Sequence, residues 1–147
     1  MAKNFGFNNL KLPISSNNWV DADERMFLAC FEILGQFVEK ELGRKPWDFK
    51  EYGKSPMYKG YRLHSAGDGE KCEKKAIRLW IWYSQELPKL IVDYNKDTES
   101  QFIDDENAAL GMRINPDYTP KYNYGFIDNI KDKKLKELIK IRRGLWT

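Results

Sequence analysis

Apolar residues recur at helical spacing in three stretches of this 147-residue chain. In the first, Phe27, Phe31, Leu34, Val38 and Leu42 follow at steps of four, three, four and four. That spacing draws one stripe along a helix, which Ile33 and Phe37 widen. Asp21 stands where an N-cap belongs, and Glu24 three residues later completes a capping-box pattern. Gly43 suits the position just past a helix end, so the first helix is predicted over 19–43. Gly35 lies inside it, at about 1 kcal/mol relative to Ala. Such a glycine serves the close approach of another helix or an aromatic ring.

The second stretch predicts a helix over 70–96. Ile77, Trp80, Ile81 and Leu87 mark one side, and Leu79, Trp82 and Tyr83 extend around the other. Pro88 has no backbone N–H to give, so it should kink the helix or start a new one as its first residue. Aromatics on both sides of "RLWIWYSQELP" call for two contact layers. Both are core, or Trp82 and Tyr83 face a partner chain, or the aromatics line a small-molecule site. The preceding connection, 44–69, holds four Gly and two Pro, which disfavours a long helix. Its Trp47, Phe49, Tyr52, Tyr58 and Tyr61 make it a natural cover for the layer around Trp82. A hairpin in "MYKGYRLH", with Lys59-Gly60 at its turn, fits this connection.

A short helix is predicted over 99–111, stopped by Gly111. The third main stretch predicts a helix over 127–145. Leu135, Leu138, Ile139 and the aliphatic stem of Arg142 form its buried side, joined by Ile130 and Ile141. Gly144 followed by Leu145 suits a Schellman ending. Residues 1–18, with Pro13 and many Asn, read as an extended arm. The chain is thus expected to be a single, mainly α domain. It is a small helical bundle with three main helices, one or two short ones, and a long aromatic-rich connection after the first.

Composition agrees with a packed core: 41% of residues are hydrophobic and 14% aromatic. No apolar run approaches the ~18 residues of a membrane span, and no signal-peptide pattern opens the chain. A soluble, intracellular protein with Cys30 and Cys72 as free thiols is expected. The net charge of +3 is unevenly spread. Residues 120–147 carry eight Lys/Arg against three Asp/Glu, while 1–119 carry 17 against 19. Lys133, Lys136 and Lys140 share one face of the last helix at steps of three and four. With Arg143 as a further charge and Trp146 as a stacking platform, they are candidate nucleic-acid-binding residues. The alternative for the same residues is a solvated face.

Catalytic signatures are sparse. His64 is the only histidine, without a Ser-His-Asp order or a metal-ligand spacing. Glycine-rich phosphate loops are absent from the sequence. Cys72, near the start of the second helix beside Lys71, Lys74 and Lys75, has no base or resolving cysteine nearby. Glu70 and Glu73 form one ExxE pair. The all-helical Mg²⁺-dependent nucleotide pyrophosphohydrolases need a second pair, ExxD, which the sequence lacks. No catalytic residue, no metal ligand and no cofactor are therefore assigned.

Three segments, "DERMFLACFEILGQFVEKE", "EKKAIRLWIWYSQELP" and "LKELIKIRRGLWT", together resemble a family of small bacteriophage proteins of uncharacterised function. In that family an acidic, aromatic first helix ends in "FVE", a helix with paired aromatics precedes Pro, and the C-terminus reads "IR..LWT". The likeness spans roughly half the chain. Ile81 departs from it, standing where adjacent aromatics are usual, as does the segment after Pro88. The resemblance implies a phage-encoded accessory protein, in the host-cell cytoplasm or the virion. The resemblance assigns no catalytic residue; the helical core, the many aromatics and the incomplete catalytic constellations point to binding a host factor or acting within a phage assembly. Nucleic-acid binding through the last helix, and Mg²⁺-dependent nucleotide hydrolysis, are the alternatives.

Overall fold

The computed structural model describes residues 10–14, 19–42 and 57–145. Most of the 1–18 arm, Gly43, Trp47, Phe49, Tyr52 and Trp146 lie outside the described residues, with the expectations attached to them. Helix α1 spans Ala22–Gln36 and continues through a π-helical turn, Phe37–Leu42. A two-residue hairpin follows, β1 (Met57–Tyr58) paired antiparallel with β2 (Tyr61–Arg62). Helix α2 is Asp68–Ile81, then comes a second π-helical turn at Trp82–Glu86, then helix α3 at Leu87–Glu99. Strands β3 (Phe102–Asp104) and β4 (Met112–Ile114) form a second antiparallel hairpin. Helix α4, Phe126–Ile141, ends in a 3₁₀ turn over Arg142–Gly144. The fold is mainly α, as expected.

The stripe read from the sequence is the core face of α1: Phe27, Phe31, Leu34, Val38 and Leu42 are all buried. They meet Ala76, Ile77, Leu79 and Trp82 of the second helical stretch and Leu138 of α4 in one cluster. Burying a side chain such as Phe31 or Ile77 contributes roughly 1.5–3 kcal/mol. Lys131 on α4 reaches Glu24 at 3.0 Å, while Leu135, Leu138 and Arg142 lie beside Cys30, Ile33 and Phe37. Helices α1 and α4 therefore run in the same direction. Helix α2 is antiparallel to both, since Cys72 meets Gly144 at one end while Trp82 meets Phe27 and Lys134 at the other.

Several expectations need correction. Asp21 occupies the N-cap position but makes no side-chain cap, and Glu24, the other half of the capping box, is turned to Lys131. Pro88 stands in the first turn of α3, across a junction that remains helical rather than open. The chain stays helical from Asp68 to Glu99, and Leu87 N–H bonds the carbonyl of Trp82, five residues back. In an α-helix the Pro88 ring would press on the carbonyl of Ser84. The wider π turn relieves this and leaves Trp82 and Leu87, five residues apart, both buried. Residues 99–111 are not a helix. Phe102 pairs with Ile114 and Asp104 with Met112, and Gly111 turns the chain at φ 73°. Gly144 takes no left-handed cap. It is needed because a Cβ there would sit 2.5 Å from Cys72 Sγ. Ile139, read as buried, is 46% exposed.

Candidate interaction surface

Trp80, Trp82 and Tyr83 have different surroundings. Trp82 is 5% exposed. Phe27 and Phe31 of α1 cover it at ring separations of 6.4 and 5.7 Å, and the Lys134 ammonium stands 5.5 Å over its ring. Among the described residues its cover is α1 and α4. Its small remaining surface opens on a groove with Glu86, Lys89, Leu90, Asp93 and Ile130. Tyr83 stacks on Phe31 at 5.0 Å and donates to Glu32 at 2.9 Å. Burial first, then this bond to a carboxylate, raises its phenol pKa. Neither ring offers the broad partner-facing surface the sequence allowed.

Trp80 packs on the other side of the helix. A Cβ on Gly35 would lie 2.5 Å from its ring, so the glycine in α1 admits an aromatic ring, as its position suggested. Trp80 Nε1 donates to Glu39 Oε1 at 2.7 Å, and Tyr61 Oη donates to the same oxygen at 2.5 Å. The β1–β2 hairpin, turning at Lys59-Gly60 as expected, is held here. Burial and Glu39 together push the Tyr61 phenol up to about 12. Tyr58 moves the other way, because its hydrogen bond with Arg78 favours the phenolate.

The ExxE carboxylates separate. Glu73 is 3% exposed and accepts the backbone N–H of His64 at 2.9 Å and of Ser65 at 3.3 Å. Glu70 turns outward to Lys74 at 2.9 Å. Among the described residues no three side chains are grouped to hold a metal ion. Glu73 instead anchors the chain entering α2, a role in which a buried carboxylate is stabilised by charge-assisted bonds. Asp97 and Asp93 act likewise on the return segment. Asp97 accepts the backbone N–H of Lys121 and Tyr122, and Asp93 accepts Lys121 Nζ and Tyr122 Oη. The Lys121 bond, then the Tyr122 bond, holds the Asp93 carboxyl below its ordinary value.

Among the described residues, three parts of the surface bear on binding. Between α1 and α4 lies an apolar cavity of about 270 Å³, lined by Cys30, Ile33, Phe37, Leu135, Leu138 and Leu145 among others. Its rim is apolar and open: Ile33 is 56% exposed, and Met26 extends the strip along α1. Beside it on α4, Lys133, Lys136, Lys140 and Arg143 are exposed. These are the cations picked out by charge. Lys131 and Lys134, by contrast, are turned inward to Glu24 and Glu137. The third part is the β3–β4 hairpin. Phe102, Ile114 and Met112 share one of its faces, all exposed, with Leu110 at the turn. Its strands pack chiefly on each other. No local sequence pattern marked the cavity, because its walls come from segments about a hundred residues apart.

Compared with known proteins, the chain matches no family model, no curated protein and no solved structure. No described helix is long and apolar enough to cross a membrane.

Proposed function

We propose that this chain works by binding another protein through the α1–α4 face. The observation that carries this is the apolar cavity with its exposed rim, Ile33 and Ile139, continued along α1 by exposed Met26, beside a described aromatic core that is otherwise well covered. Apolar side chains clustered around a concavity, rather than scattered singly, mark a contact site. The bacteriophage resemblance of the three helical segments supports an accessory role, against a host factor or within a phage assembly.

Site-specific photo-crosslinking in the host cell tests this. A crosslinker at Met26 or Ile33 is expected to yield a protein adduct, while one at Asn95, exposed on α3, is not. Equal adducts at all three positions, or none, refute the reading. So does turnover of a nucleotide or nucleic acid that a single carboxylate change abolishes.

A second reading is favoured by the outward face of α4. Lys133, Lys136 and Lys140 stand exposed within two helical turns, spaced for successive phosphates. Binding to DNA or RNA through this face would weaken with salt and fall when the three are neutralised. Absence of binding at low salt removes this reading.

A further inference from the structure

The molecule has two dissimilar ends. At one end, residues 99–117 carry five Asp/Glu against one Arg, and the hairpin they contain exposes Phe102, Leu110, Met112 and Ile114. Among them Arg113 is engaged with Asp105 at 3.5 Å, so Asp104 and Glu106 remain as outward negative charge at the turn. A two-stranded hairpin that leans on little else is marginal in water. Its apolar face calls for a cover.

At the other end, residues 131–143 carry seven Lys/Arg against two Asp/Glu beside the apolar cavity. One of those acids, Glu137, is held by Lys75 and Lys134. Lys136 and Arg143 stand about 100° around the helix from the lining residues Leu135 and Arg142, which puts them on the rim.

Each end thus has what the other lacks: apolar and acidic against apolar and basic. They cannot meet within one molecule. The cavity lies alongside the stretch of α2 that holds Lys75 and Cys72, while the hairpin begins after Glu99. Some 24 helical residues separate the two, about 35 Å. We propose that the hairpin of one copy docks in the α1–α4 cavity of a second copy. Leu110 and Ile114 enter, and the hairpin carboxylates face Lys136 and Arg143. This rests on the protein-binding reading above and names its partner. The contact joins unlike surfaces, so it repeats head to tail, closing into a ring or running on as a chain. Its extent is that of a small, weak interface, so association depends on concentration.

Sedimentation velocity on the nuclease-treated protein tests this over a concentration series at low and high salt. The mass is expected to rise above monomer with concentration and to fall with salt. Ile114→Ser damages only the hairpin end and Ile139→Ser only the cavity end. Both positions are exposed, so the fold should survive, which circular dichroism checks. Each variant alone is expected to associate about tenfold more weakly. Mixed together, they should form a dimer that grows no further, because one intact end of each kind remains. A wild-type protein that stays monomeric overturns the proposal. So do variants that associate like wild type, or a mixture that recovers nothing, which would mean a contact between like surfaces. If the protein is monomeric while Ile33 crosslinks to a different protein, only the second-copy inference fails. If Ile33 crosslinks to nothing, the protein-binding reading fails with it.

Discussion

Replacing Gly35 with Ala sets two known effects against each other. Within a helix, Gly→Ala is favourable by about 1 kcal/mol, since the backbone loses less entropy on folding. Here the new Cβ would lie 2.5 Å from two carbons of the Trp80 ring and 3.0 Å from a third. Ordinary contact needs roughly 1 Å more. Trp80 is poorly placed to yield, because Glu39 holds its indole N–H at 2.7 Å and Tyr83 lies stacked 5.7 Å away. Overpacking of this kind costs about 1–3 kcal/mol. The two effects leave Gly35→Ala destabilising by roughly 1 kcal/mol.

The same change made in a Trp80→Leu background should reverse sign. Leucine does not reach the space occupied by the far edge of the indole, so only the propensity gain of about 1 kcal/mol remains. Urea denaturation of the four proteins reads both values, with constant m-values confirming that the folded and unfolded states are comparable. A Gly35→Ala protein more stable than wild type would refute the argument. So would a change of the same size in both backgrounds, which would show that Trp80 does not hold α1 at this point.

Glu73→Gln keeps the shape but gives up a charge-assisted acceptor for two backbone donors, and should lower stability by about 1–2 kcal/mol in denaturant titration. Asp97→Ala should speed amide hydrogen exchange at Lys121 and Tyr122, measured by mass spectrometry, while the amides of α2 stay protected. The Tyr61 phenol is pushed up to about 12 from 10.0, so its proton stabilises the fold at pH below 10. That contribution is lost as pH rises from 10 through about 12, and phenolate absorbance should show Tyr61 ionising late. Asp93 has the opposite sign. Its stabilising contribution is present above 3.8 and lost as pH falls through its lowered folded value, which the side-chain carbonyl resonance of Asp93 should report.

How far the fold was legible depends on the range of the interactions that decide it. The α1 stripe and the Lys59-Gly60 turn are local patterns, and both stand. Gly35 could be read because a costly glycine inside a strong helix implies a neighbour. The 99–111 segment was misread because "DDENAAL" has helix-friendly composition. What overrides it is the cross-strand pairing of Phe102 with Ile114, whose signal was only the short Met112-Arg113-Ile114 alternation after Gly111. The π turn had a local mark, Trp82 and Leu87 five residues apart before Pro88, which a search at the α period passes over. On the surface, the cations of α4 were visible by charge alone. The cavity between α1 and α4 and the apolar side of the distal hairpin were not, because each is defined by what fails to cover it.

The π-helical turn at Trp82–Glu86 also bears on which length changes the gene could tolerate. One added residue in a helix rotates everything after it by about 100°, and this turn absorbs such a residue in place. Deleting exposed Ser84 or Gln85 would restore a plain α-helix and leave every buried side chain of α2 in position. Helix α3 would keep its rotation, with Asp93 and Asp97 still facing the segment Tyr118–Tyr122 that they hold. What a reading frame shortened by one codon here would lose is the room for the Pro88 ring. Descendants of this sequence should show a one-residue gap at 84 or 85 together with replacement of Pro88.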